Sequence, residues 1–123
     1  MIDIKKVKPD NTLDEIPGAV LKVHMESSDR DIYSENNRSE DFEIPVVLNA
    51  NRRIPVLSND MFIQKIVSEN EVIVHFNGHW GGDVVVNNKE TAHFHASDSY
   101  GYNDNFCAFS LDVTMELSEL PHL

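Results

Sequence analysis

A mainly β fold, an antiparallel β-sandwich or curled sheet of about six to eight strands with one short helix around residues 59–67, is predicted by three features of the sequence. Apolar residues recur at every second position, these alternating runs are short and closely spaced, and turn-forming residues separate them. Only one segment has helical spacing. Parallel strands need a crossover helix between them, so the pattern points to antiparallel pairing.

Taken in chain order, Ile2 and Ile4 suggest a short first strand. After a Pro17-Gly18 turn signal, Ala19, Leu21, Val23 and Met25 alternate with Val20, Lys22, His24 and Glu26. Ile44, Val46 and Leu48 do the same, and Pro45, which lacks an amide donor, places their strand at a sheet edge. Ser58 is positioned to cap a helix in which Met61, Phe62, Lys65 and Ile66 recur at three and four. Val72, Val74 and Phe76 form the next strand, Val84-Val85-Val86 a β-branched one, and Ala92, Phe94 and Ala96 another. The longest alternation is Cys107, Phe109, Leu111, Val113, Met115 and Leu117, which a strand gathers on one face and a helix would scatter.

Two stretches break the pattern. Glu26 to Glu43 carries seven acidic residues against Arg30 and Arg38, nearly half of the chain's net charge, and reads as a solvated loop. Ser97 to Asn105 is turn chemistry carrying Tyr100 and Tyr102, too polar for core and too aromatic for a passive linker, and reads as a recognition loop.

The 123 residues, with 41% hydrophobic and 25% charged, fit a single folded domain spanning 1–123. Net charge is −11, which repels phosphate backbones and anionic lipid and so argues against nucleic acid and membrane as partners. No apolar run approaches the ~20 residues of a membrane-spanning helix. The N-terminal residues lack a signal-peptide core, and Cys107 is the only cysteine, so a reducing, cytoplasmic setting is expected. The Asn37-Arg38-Ser39 sequon is set aside on the same ground.

Six histidines raise the question of a metal. His93 and His95 share one strand face and His75 points away from Val74 and Phe76, so neighbouring strands would let the three converge on zinc beside a carboxylate such as Asp98. Their spacing matches no metal motif, and neither a metal nor another cofactor is assigned. The glycines of Phe76-Asn77-Gly78-His79-Trp80-Gly81-Gly82-Asp83 mark a hairpin and lack the Lys-Ser/Thr pair of a phosphate loop. Cys107 opens an apolar strand face and reads as a structural thiol. No serine lies in a GxSxG elbow, and the carboxylates of the acidic stretch are solvated. No catalytic residues are assigned.

A compact acidic β-domain with carboxylates and aromatics in its loops suits capture of a basic protein, with charge steering the encounter and aromatic rings anchoring it. The expected function is that of an acidic immunity or antitoxin-like protein covering the active site of a basic toxin, a nuclease above all. The expected contact residues are Asp31, Tyr33, Glu35, Glu40, Asp41, Trp80, Asp98, Tyr100, Tyr102 and Asp104. The alternatives are a small metal-binding enzyme of β-sandwich or cupin-like shape using His75, His93 and His95, and a ligand-binding or structural β-domain whose acidity only aids solubility.

Overall fold

A computed structural model describes residues 12–54, 59–102 and 105–119. In chain order the strands are β1 (Glu15–Asp31), β2 (Glu35–Val47), β3 (Asn51–Ile54), β4 (Asn59–Ser68), β5 (Glu71–Phe76), β6 (Gly82–Asn87), β7 (Ala92–Tyr102) and β8 (Asn105–Glu119). They make two antiparallel sheets of four, ordered β2-β1-β8-β7 and β3-β4-β5-β6. The first sheet unites the β1–β2 and β7–β8 hairpins through the β1/β8 pairing. The second is the meander between them.

The apolar alternation accounts for how the sheets meet. Leu21, Val23 and Met25 of β1, Ile44 and Val46 of β2, and Leu111, Val113 and Met115 of β8 are buried against Met61, Ile63, Ile66, Val72, Val74, Phe76 and Val86 of the second sheet. Each such side chain removed from water contributes about 1.5–3 kcal/mol, which makes this shared layer the main source of stability. Phe76 of β5 stacks on Phe94 of β7 across the layer, with ring centroids 3.9 Å apart and planes 5° from parallel.

Near its start the chain passes from one sheet to the other. Leu13 bridges to Ile66 of β4, the Leu48 amide donates to the Asp14 carbonyl at 2.7 Å, and Glu15 then pairs with Val47 of β2. The Pro17-Gly18 pair, expected as a turn before the strand, instead lies inside β1. Gly18 has φ +78°, and the β1/β2 register shifts between Glu15 and Val20, so the turn chemistry makes a bulge.

The helix expected over 59–67 is absent: β4 occupies this segment. Its register against β5 slips between Ile63 and Lys65 and again between Ile66 and Ser68. An extra residue after Ile63 carries the inward positions from Met61 and Ile63 to Ile66. The bulge thereby writes an i, i+3 step into a strand, and this is the spacing that resembled a helix turn.

Glu26–Glu43 and Ser97–Asn105 are likewise mostly strand where loops were expected. The β1/β2 ladder continues in register to Arg30 and Glu35, and the β7/β8 ladder to Tyr102 and Asn105. Residues Glu35 to Asp41 and Ser97 to Gly101 are all exposed, so here the first sheet runs past its apolar layer with both faces toward solvent. The strand expected from Ile2 and Ile4 lies outside the described residues.

Candidate functional site

The register builds a second surface on this overhanging end of the first sheet. On the face that carries the core further in, Asp29 of β1 lies opposite Phe109 of β8, which lies opposite Asp98 of β7. One step outward, Asp31, Cys107 and Tyr100 form the next row. Directly opposed residues in a ladder point to the same side, so the two rows place three carboxylates and two aromatic rings on one ledge.

Trp80, from the β5–β6 connection, closes the inner side of the ledge. Its Nε1 donates to Asp98 Oδ2 at 3.0 Å, and its ring meets Phe109 edge to face with centroids 4.9 Å apart. At 37% exposure it is fixed at one edge and open at the other. The second Asp98 oxygen accepts from the Ser99 amide at 2.8 Å. Tyr100, 63% exposed, and Tyr33, 89% exposed, stand free. Beside Tyr100 lies a shallow cavity of about 250 Å³ lined by Asp29, Arg30, Asp31, Tyr100, Cys107 and Phe109 among others.

The β1–β2 turn is held by Asp31. Its Oδ1 accepts from the Tyr33 amide at 2.7 Å and the Ser34 amide at 2.8 Å, while the Asp31 amide donates to the Ser34 carbonyl at 2.9 Å. The two donated amide hydrogens hold the Asp31 carboxyl below its ordinary range, so it stays ionised in mild acid. Tyr33 projects from a turn that its neighbour's charge organises.

Of the expected contact residues, the structure brings Asp31, Tyr33, Trp80, Asp98 and Tyr100 together at this end. Tyr102 ends β7 in the same region. Asp104 lies outside the described residues. Glu35 and Asp41 face the other side of the sheet, and Glu40 is engaged with Arg52, whose guanidinium also sits 4.5 Å from the Phe42 ring centre. Asp29 and Phe109 belong to the ledge although neither was expected as a contact. Phe109 was visible only as one apolar residue in an alternating strand, and Asp29 only as one of seven acids.

The histidines are distributed differently from the convergent site considered above. His75 is on β5 in the second sheet, whereas His93 and His95 are on β7 in the first, each pointing away from the layer between the sheets. Among the described residues no three histidine, cysteine or carboxylate side chains are grouped so as to hold an ion. A cross-strand pattern takes their place. His24 Nδ1 lies 2.7 Å from Asp41 Oδ1, His95 Nδ1 lies 2.7 Å from Asp112 Oδ1, and His75 pairs with Asp83. Each pair is directly opposed in one of the β1–β2, β7–β8 and β5–β6 ladders.

The Asp41 hydrogen bond, with a lesser one from Glu26, raises the His24 pKa above its ordinary 6.5. A raised histidine pKa stabilises the fold fully below the unfolded value, and the contribution disappears as pH rises through the folded value. Substitution His24→Gln is therefore expected to lower the urea midpoint near about pH 5.5 and to leave it unchanged near about pH 9. A deficit of equal size at both pH values would show that the histidine acts by packing alone.

Comparison of the chain with protein families, with characterised proteins and with solved structures found no match. The functional reading accordingly rests on the ledge itself.

Proposed function

We propose that this chain captures a basic protein on the overhanging end of its first sheet, as an immunity or antitoxin-like inhibitor that covers a toxin's active site in the cytoplasm of the cell that makes it. The observation that carries the reading is the Trp80 ring, hydrogen-bonded to Asp98 and packed on Phe109, beside the exposed Asp29, Asp31 and Tyr100. Fixed aromatic rings lose little conformational freedom on binding and supply desolvated contact area, while surrounding carboxylates attract and orient a cationic partner. The net charge of −11 extends that attraction beyond the contact. A nuclease is the favoured partner class because its active site must itself attract phosphate and is therefore basic.

The test begins with affinity purification from the producing cell at about 50 mM and about 500 mM salt, conditions on either side of strong screening. A basic protein retained in equal stoichiometry at low salt and released at high salt is the expected result. With that partner in hand, Asp29→Asn, Asp31→Asn and Asp98→Asn combined remove charge while keeping hydrogen-bond acceptors in place. Affinity should fall about tenfold or more, and the partner's activity should recover in proportion. Recovery of no basic protein, or affinity indifferent to the three changes, would refute the proposal.

A further inference from the structure

The open edge of β2 has a hydrogen-bonding phase that can be read from its turn. Because the Asp31 amide donates to the Ser34 carbonyl, residues 31 and 34 form a hydrogen-bonded pair, and pairing alternates along the ladder from there. Asn36, Arg38, Glu40, Phe42 and Ile44 therefore direct their backbone groups to β1. Glu35, Asn37, Ser39, Asp41 and Glu43 direct theirs outward, and among the described residues no strand lies on that side. Pro45 falls in the outward phase, where its missing amide leaves the β1 ladder intact.

The residues with outward backbone groups also place their side chains on the outer face of the sheet, and three of the five are carboxylates. A second copy of this chain pairing there antiparallel about Ser39 would set Glu35 against Glu43 and gather the carboxylates of both copies on one face, so like charge disfavours it. A basic strand meets the opposite situation. Behind this edge lies an open depression of about 560 Å³ bordered by His24, Asp41, Glu43, Thr114 and Glu116, with Lys22 its one permanent cation. A long lysine or arginine side chain from an added strand would cross β2 into this space.

We infer that the β2 edge between Glu35 and Glu43 is a strand-addition site for an extended segment of the basic partner, with lysine or arginine at every second position. The inference rests on the function proposed above and adds the mode of recognition. Backbone hydrogen bonds would supply the docking and the alternate carboxylates the selection for basic residues. The segment would lie along β2 beside the Tyr33 turn, its basic side chains on the face of the sheet opposite the ledge.

The probe is a capped peptide of about nine residues alternating lysine with threonine or valine, long enough to span the open phase. Fluorescence anisotropy should show salt-dependent binding, and hydrogen exchange followed by NMR should show new protection at Asn37, Ser39, Asp41 and Glu43. Backbone N-methylation of the lysines, whose amides would face β2, should weaken binding by about tenfold or more, whereas methylation of the intervening residues should have little effect. Ser39→Pro removes an outward amide without touching the β1 ladder, and this variant should fold normally and lose the peptide.

Absence of binding, equal tolerance of both methylation patterns, or protection away from β2 would overturn the strand-addition site. If the peptide fails while the native partner is still captured and still lost with the aspartate changes, only the recognition mode is wrong. If the peptide docks as described but no basic partner exists in the cell, the edge stands and the biological reading falls.

Discussion

Substitution Phe76→Ala is expected to remove about 3–5 kcal/mol of stability, a large share of the 5–15 kcal/mol typical of a small domain. Phe76 is fully buried at the end of β5, and its ring lies flat on Phe94 of β7. It is therefore a contact between sheets as well as within one. Truncation removes its apolar area from the layer and also leaves a void that the two sheets must collapse to fill. Collapse is resisted because β5 is hydrogen-bonded on both sides, to β4 and β6. Urea unfolding should show a sharply lower midpoint with an unchanged slope. Phe76→Leu, which keeps most of the volume, should lose less, and Val85→Ala on the exposed face of β6 should stay within about 0.5 kcal/mol of the parent. A Phe76→Ala loss no larger than that of Val85→Ala would mean that the sheets are not held by this layer.

The same layer explains which parts of the fold were legible in the sequence. Where a strand has one buried and one wet face, as in Val72, Val74 and Phe76 or in Leu111, Val113 and Met115, alternation is written directly into residue type. Where the sheet projects past the core, both faces meet water and the signal disappears. Glu35 to Asp41 is a strand held by its neighbours' backbone and by the Asp31 turn, and residue type alone could present it only as a loop. In β4 the signal was present but displaced by the bulges beside Ile63 and Ile66, which converted a two-residue period into apparent helical spacing.

The candidate site was legible as an inventory of residues and hidden as an arrangement. Trp80, in the β5–β6 connection of the second sheet, and the aspartate it binds, on β7 of the first, are 18 positions apart, and His24 and His95 each meet an aspartate 17 positions away. Such pairings depend on register and on which strands become neighbours, neither of which is encoded by local composition. The acidic stretch expected as one contact surface is for the same reason divided: the β1/β2 register sets odd-numbered residues of β1 opposite even-numbered residues of β2, so Asp29 and Asp31 face the ledge while Glu35 and Asp41 face the opposite side.

Gly81→Ala is expected to damage stability and partner binding together, through a connection no apolar pattern marks. A Cβ at Gly81 would lie 1.8 Å from the Phe76 carbonyl oxygen and 2.8 Å from its carbon. Both are backbone atoms, so no rotamer change relieves the overlap and the β5–β6 connection must open. That connection is tied by the Gly81 amide donating to the Gly78 carbonyl at 3.1 Å and by the Phe76/Gly82 pairing. Overpacking of this kind costs about 1–3 kcal/mol, more where backbone must move. Trp80 precedes the substituted residue, so the displacement is transmitted to its contacts with Asp98 and Phe109. As the chain's single tryptophan, it reports the change through its own fluorescence, which should shift to longer wavelength in the folded variant. The neighbouring Gly82→Ala is the matched control, because its Cβ would meet nothing within 4 Å. That variant should retain parental stability, emission and binding. Were Gly81→Ala to shift the emission yet hold the basic partner with undiminished affinity, Trp80 would be a structural cap and the anchor of the ledge would have to be sought in Tyr33 and Tyr100 alone.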